Sequence, residues 1–194
     1  MIKDRLSVAL VASSVLISCH LYGIMGEAIF VPMFLPIAGI ALIHYTSGTQ
    51  ETVDDDYLTP SGLRSMYFVI LGVASLGVFG VIGQNLSILS VIEDLSIVDA
   101  GLCVGLIAVG ETLFFQGFVL KYLKTLFKFA PFAIVGSALI FMAYHNWRYG
   151  ASPATMGYVL YAGVLMSYIC HVTKRMWPAY LVHIINNLIA VGSQ

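Results

Sequence analysis

Seven apolar stretches, each roughly 15 to 25 residues long, fill most of this chain and are separated by short polar connectors. A helix of about 20 apolar residues is long enough to cross the hydrocarbon core of a bilayer. The stretches are continuous and lack the polar–apolar alternation of a membrane β-barrel. The sequence therefore predicts an all-α, polytopic transmembrane helical bundle of about seven spans. We place the spans at Leu6–Met25, Ala28–Tyr45, Ser65–Leu89, Ile97–Leu120, Pro131–Trp147, Pro153–Val172 and Trp177–Val191.

The composition of the 194 residues supports a single membrane domain over 1–194. Hydrophobic residues make up 59% and charged residues 10% of the chain, whereas a soluble domain carries about 25% charged residues. The net charge of −1 gives no reason to expect a nucleic-acid partner. Cys19, Cys103 and Cys170 stand singly in apolar segments, so we interpret them as small buried side chains.

The distribution of lysine and arginine predicts the orientation, because cytoplasmic loops of membrane proteins are rich in these residues. With a cytoplasmic N-terminus, Arg148 is the one basic residue of nine on the far side. The basic residues on the cytoplasmic side are then Lys3, Arg5, Arg64, Lys121, Lys124, Lys128, Lys174 and Arg175. We therefore expect a multi-pass protein of the cell (plasma) membrane, with a cytoplasmic N-terminus.

Glu111 is the acidic residue that needs an explanation, because it lies in the middle of a predicted span, in "VGETLFFQG" (109–117). An ionisable group at this depth costs about 2.5–3.5 kcal/mol on insertion scales, so we expect it to face the bundle interior or a hydrated cavity. Two interpretations are open from this residue alone. Glu111 transfers protons in a reaction, or it is a protonated side chain that only hydrogen-bonds a neighbouring helix.

Three further polar residues lie in the later spans. His145 follows Phe141 by four residues, and His183 and Asn187 are also four residues apart, which puts the latter two on one helix face. Alone, each histidine is better explained as an interhelical hydrogen-bond partner. Asn186 lies about 100° around the helix from Asn187, so we assign it no role.

Glu111, His145, His183 and Asn187 together form a set with catalytic chemistry. A carboxylate and an imidazole can deprotonate one water, while a second imidazole and an amide donate hydrogen bonds to an oxyanion. That mechanism requires no cofactor. Glu111, His145 and His183 also form a known zinc-ligand combination with water in the fourth position, and the residue types do not separate the two mechanisms.

These residues stand in three segments that resemble the signature motifs of the CAAX protease and bacteriocin-processing (CPBP, or ABI) family of intramembrane proteases. The family patterns are E-E-x-x-x-R-G, F-x-x-x-H and H-x-x-x-N, each on its own membrane helix. Here "ETLFFQG" (111–117), "FMAYH" (141–145) and "HIINN" (183–187) stand at these positions, in order. The resemblance covers a CPBP-like core at about residues 100–194.

The resemblance implies that Glu111 and His145 activate a water and that His183 and Asn187 stabilise the oxyanion. Two positions depart from the family pattern, since Thr112 replaces its second Glu and Gln116 replaces its Arg. We expect a neutral contact between these two side chains in place of an ion pair, because a buried ion pair adds little net stability.

The leading hypothesis is an intramembrane endopeptidase acting near the membrane face on a peptide or protein substrate that is reached from the bilayer. Thr112 and Gln116 motivate an alternative, a non-catalytic membrane subunit or bacteriocin-immunity-type binding protein with a membrane-protein partner. A proton-coupled carrier is a third hypothesis, although such carriers often contain an inverted repeat and none is apparent here.

All these hypotheses need the two histidine side chains in one site, but the predicted spans place them at different depths. On straight helices, His183 lies about 9 Å and His145 about 20 Å from the cytoplasmic ends of their spans. The side chains can therefore meet only if helices tilt or if the helix ends differ from the predicted ones.

Overall fold

The computed structural model describes residues 63–80, 97–149 and 152–192, together with isolated helical positions between residues 13 and 39. Within this part of the chain the secondary structure is helical throughout, with no strand, so the predicted all-α class is confirmed there. The predicted spans Leu6–Met25 and Ala28–Tyr45 lie largely outside the described residues. The seven-span count and the cytoplasmic N-terminus therefore stay predictions.

Within the described residues the helices follow the predicted apolar spans, and the part of the span Ser65–Leu89 that follows Gly80 lies outside these residues. Helices α2 and α3, with the π-helical segment π1 between them, form one continuous helix that extends to Leu126, beyond the predicted end at Leu120. The elements are α1 (Leu63–Gly80), α2 (Ile97–Glu111), π1 (Thr112–Val119), α3 (Leu120–Leu126), α4 (Ala130–Tyr149), α5 (Pro153–Thr173) and α6 (Trp177–Gly192). Two helical stretches, Val98–Leu126 and Pro153–Thr173, are long and apolar enough to cross a membrane.

The π1 segment begins directly after Glu111 and widens the helix by one residue per turn. Its wider turn is visible at the end, where the backbone N–H of Leu120 donates to Phe115 O, five residues back. The buried residues of π1 are Thr112, Leu113, Phe115, Gln116, Gly117 and Val119. Six of the eight residues of π1 are therefore buried, and π-helical turns often occur at functional sites.

Helix α4 contacts π1 through one hydrogen bond and through packed aromatic rings. The buried hydroxyl of Ser137 donates to Phe115 O at 3.0 Å. The Phe115 ring lies 5.1 Å from the Phe141 ring and 5.3 Å from the Tyr144 ring, measured between centroids. These contacts fix the helix that carries Glu111 against the helix that carries His145.

Two glycines allow the neighbouring helices to approach closely. A Cβ atom at Gly163 of α5 would lie 3.1 Å from the Cα atom of Ala138 and 3.1 Å from a ring carbon of Phe141, both on α4. A Cβ atom at Gly72 of α1 would lie 2.8 Å from a methyl group of Val182 on α6. Because Val182 and Phe141 adjoin the candidate residues His183 and His145, these close approaches help to position the site.

Helix α6 lies at the centre of the described bundle, since it packs against α1, α2, α5 and π1. The chain reaches it from α5 through a short connection in which Lys174 adopts the left-handed conformation, with φ of 56°. This conformation ends α5 and lets the chain reverse direction. The first turn of α6 follows at Trp177, six residues before His183.

Candidate active site

Glu111 lies against both imidazoles that the sequence analysis singled out. Its Oε2 atom is 3.4 Å from Nε2 of His183 and 3.7 Å from Nε2 of His145. The three residues are 1%, 5% and 8% exposed, respectively. Side chains from the end of α2, from α4 and from α6 therefore meet in one buried cluster, as the proposed chemistry requires.

The cluster forms although the two histidines stand at different positions along their helices. His145 follows the first residue of α4 by 15 residues and His183 follows the first residue of α6 by six, which correspond to about 22 Å and 9 Å of rise. Both imidazoles contact the same carboxylate oxygen. Helices α4 and α6 therefore cannot be parallel with their first residues at the same level. The different positions of His145 and His183 along their helices therefore do not prevent their side chains from meeting.

The hydrogen bond on the other side of the His145 ring determines its tautomer. Nδ1 of His145 lies 2.9 Å from Phe141 O, and a carbonyl oxygen can only accept, so Nδ1 carries the proton. The neutral ring then presents the lone pair of Nε2 toward Glu111. Phe141 also packs its ring 4.2 Å from the His145 ring and 6.0 Å from the His183 ring, a role that the sequence analysis did not assign.

The contact between His183 and Thr112 is compatible with the opposite tautomer. Its Nδ1 lies 3.2 Å from the hydroxyl oxygen of Thr112, and both residues are buried. A threonine hydroxyl can donate to Nδ1 or accept from it, and when it donates, the proton of the neutral ring lies on Nε2, next to the Glu111 carboxylate. One imidazole then presents an acceptor and the other a donor to the same small space.

The expected neutral contact between Thr112 and Gln116 is wrong. Thr112 hydrogen-bonds His183 instead, because its side chain points to α6. The Gln116 amide is completely buried, and neither its Nε2 nor its Oε1 has a hydrogen-bond partner among the residues that the structure describes. The two departures from the family motif thus have different consequences, a contact to the cluster at Thr112 and an unsatisfied amide at Gln116.

Asn187 lies one helical turn after His183 and is half-buried. Its Oδ1 accepts a hydrogen bond from Nδ2 of Asn186 at 3.4 Å. The Oδ1 atom of Asn186 in turn accepts from the hydroxyl of Tyr158 on α5. The structure therefore brings three of the four predicted residues into direct contact, links Asn187 to a separate hydrogen-bond chain, and gives Asn186 interactions that its helical position alone did not predict.

Glu111, His145 and His183 are also the ligands that the zinc alternative requires. Across the described ranges, no group of three or more His, Cys, Asp or Glu side chains is arranged to hold a metal ion. The zinc alternative gains no support from this result and stays a prediction.

The comparison with known proteins identifies the second half of the chain. Residues 94–189 match the family described as "Type II CAAX prenyl endopeptidase Rce1-like", which belongs to the CPBP family. No curated protein and no solved structure matches this chain. The matched range contains Glu111, His145, His183 and Asn187. The chain therefore belongs, through this range, to the CPBP family, and the resemblance inferred from its three motifs is confirmed.

Proposed function

We propose that this protein is an intramembrane endopeptidase that hydrolyses a peptide bond with a water activated by Glu111 and His145. The observation that carries the proposal is the pair of imidazoles within 3.4 Å and 3.7 Å of a single buried carboxylate oxygen. Membership of a family whose matching model is named for CAAX endopeptidases supports the same reaction. A buried carboxylate without such neighbours would support only a structural role.

In the first step the Glu111 carboxylate and Nε2 of His145 accept hydrogen bonds from one water. As the water oxygen adds to the substrate carbonyl carbon, its proton passes to this pair, and the carbonyl oxygen becomes an oxyanion. The Nε2–H group of His183 and the Nδ2–H₂ group of Asn187 donate hydrogen bonds to that oxyanion. The C–N bond then breaks, the proton passes to the leaving amine, and the products are a carboxylate and an amine.

The contacts of the two imidazoles are compatible with this division of roles. His145 donates to a backbone carbonyl and keeps Nε2 as an acceptor, which is what a general base needs. When the Thr112 hydroxyl donates to Nδ1 of His183, the Nε2–H group is available as a donor. The replacement of the family's second Glu by Thr112 is therefore compatible with hydrolysis.

The bilayer is the environment in which we propose that the reaction takes place. Two described helices are long and apolar enough to span it, and α4 exposes Phe132, Val135 and Leu139 on its outer face. Apolar side chains exposed in this way fit contact with lipid tails. We accordingly propose a multi-pass protein of the plasma membrane, with a peptide or protein substrate that approaches from the membrane.

The substrate is best tested with peptides that end in a CAAX sequence, because the matching family is named for prenylated substrates of this type. Purified protein in liposomes is incubated in H₂¹⁸O with internally quenched CAAX peptides, one farnesylated and one without the prenyl group. The proposal predicts cleavage of at least one peptide, with one ¹⁸O atom in the new carboxylate. Folded protein that cleaves neither peptide, or a product without ¹⁸O, contradicts it.

A further inference from the structure

A chain of hydrogen bonds runs from α5 to the candidate oxyanion-stabilising residue of α6. The buried Tyr158 side chain donates its hydroxyl proton to Oδ1 of Asn186. Nδ2 of Asn186 donates to Oδ1 of Asn187 at 3.4 Å. Each bond has a definite direction, from the tyrosine hydroxyl through one carboxamide to the next.

This direction matters because a carboxamide has an acceptor end and a donor end. Once Oδ1 of Asn186 accepts from Tyr158, its Nδ2 group is the end that can reach Asn187. That Nδ2 group then holds the Oδ1 end of Asn187. The remaining end of Asn187 is its Nδ2 group, which supplies the N–H donors that an oxyanion needs. A carboxamide turned the other way would present an oxygen to the developing negative charge.

We propose that Tyr158 and Asn186 are positioning residues, which hold the Asn187 carboxamide in the orientation that donates to the oxyanion. The inference rests on the proposed function, in which Asn187 donates to that oxyanion. Neither Tyr158 nor Asn186 takes part in proton transfer. Both act through Asn187, so their removal lowers the rate of the chemical step and leaves substrate binding largely unchanged.

Helix α5 offers a matched control for this proposal. The Tyr161 hydroxyl, three residues after Tyr158, hydrogen-bonds Ser75 of α1 and is not part of the chain that leads to Asn187. Tyr158→Phe and Tyr161→Phe each remove one hydroxyl from the same helix and break one interhelical hydrogen bond. A purely structural role predicts similar consequences for the two variants.

The experiment measures kcat and KM for CAAX-peptide cleavage, and thermal unfolding, for both variants in liposomes. We expect Tyr158→Phe to lower kcat about tenfold with KM changed less than twofold, since loss of a complete oxyanion donor typically costs about 10²–10³ in kcat. Tyr161→Phe keeps kcat within about twofold of the unmodified protein. Asn186→Asp, which retains an acceptor for Tyr158 but has no N–H donor for Asn187, lowers kcat as Tyr158→Phe does.

A double-mutant cycle with Asn187→Ala separates a positioning role from general damage to the fold. In the Asn187→Ala background, Tyr158→Phe has no carboxamide left to orient, so it no longer lowers kcat. An equal, additive loss in both backgrounds overturns the proposal, as does an equal effect of Tyr158→Phe and Tyr161→Phe. If Tyr158→Phe does not fold, the same cycle is run with Asn186→Asp and decides in the same way.

The same measurements distinguish failure of this inference from failure of the proposed function. If Asn187→Ala lowers kcat at least 100-fold while Tyr158→Phe and Asn186→Asp change nothing, only the positioning role is wrong. If Asn187→Ala itself leaves kcat unchanged, the oxyanion role of Asn187 is wrong, and the inference is wrong with it.

Discussion

The hydroxyl of Thr112 and Nδ1 of His183 lie 3.2 Å apart in the buried centre of the bundle. Thr112 immediately follows Glu111, so one backbone segment presents both a carboxylate and a hydroxyl to the same imidazole. The wide turn of π1 begins at Thr112, and this residue is completely buried. A position at which the chain departs from its family motif thus keeps a polar contact with the candidate catalytic cluster.

Replacement of Thr112 by valine tests this contact. Valine has nearly the same shape, but it cannot donate to Nδ1, so the Nε2–H tautomer of His183 loses its support. We expect Thr112→Val to lower kcat about tenfold, in line with a group that acts through an oxyanion donor rather than as one. Thr112→Ser keeps a hydroxyl and serves as the control. If valine and serine have equal effects on kcat, the tautomer argument fails.

Replacement of Gln116 by methionine tests the cost of its buried amide. An unsatisfied buried polar group costs about 1–3 kcal/mol, whereas an apolar side chain of similar length carries no such cost. We therefore expect Gln116→Met to raise the free energy of unfolding by about 1 kcal/mol. Thermal unfolding in detergent measures the change. A lower unfolding temperature would show that the amide makes a hydrogen bond that stabilises the fold.

Substitution of Gly163 tests the close approach of α5 to α4. An added methyl group would press on the backbone of Ala138 and on the Phe141 ring, so Gly163→Ala should destabilise the protein by about 1–3 kcal/mol, a typical cost of overpacking. Gly157 lies on the same helix with nothing within 4 Å of an added Cβ. Gly157→Ala should leave the stability of the protein unchanged or raise it by up to about 1 kcal/mol, because glycine in a helix interior is less favourable than alanine. Equal effects of the two substitutions would contradict this packing.

Chelation tests the metal-free mechanism directly. The proposed hydrolysis uses Glu111, His145 and His183 as acid–base and hydrogen-bonding groups, whereas the zinc alternative uses the same three side chains as metal ligands. We expect EDTA and 1,10-phenanthroline to leave the cleavage rate unchanged within about twofold, since a bound water there is activated by acid–base groups alone. Loss of activity with chelator, and its recovery on addition of zinc, would establish the zinc mechanism in its place.

Much of the fold could be predicted because apolar runs of bilayer length mark helices clearly. The helices that begin at Ile97, Pro153 and Trp177 start where the sequence predicted them. The π-helical segment was not predictable in this way, because an apolar run indicates a helix but does not reveal where its turns widen. The six-residue extension of the helix beyond Leu120 to Leu126 was missed because Lys121 and Lys124 were assigned to a connector.

The candidate site was only partly predictable. Glu111, His145 and His183 stood out because ionisable residues are rare in apolar spans, and they do meet in space. The roles of Tyr158 and Asn186 depend on how α5 and α6 are placed against each other, which no single helix reveals. A tyrosine in an apolar span is ordinary, so nothing in the sequence distinguished Tyr158 from Tyr161.

The most direct test of the account compares Glu111→Gln with Asp99→Asn in the CAAX-peptide assay. Both residues lie on α2 and both changes remove one negative charge, but Asp99 hydrogen-bonds His20 and is not part of the cluster. Loss of an acid–base group typically costs about 10²–10⁴ in rate. We predict at least about a 100-fold loss of kcat for folded Glu111→Gln and a rate within about twofold of the unmodified protein for Asp99→Asn. Full activity of Glu111→Gln would contradict the central claim that this carboxylate activates the hydrolytic water.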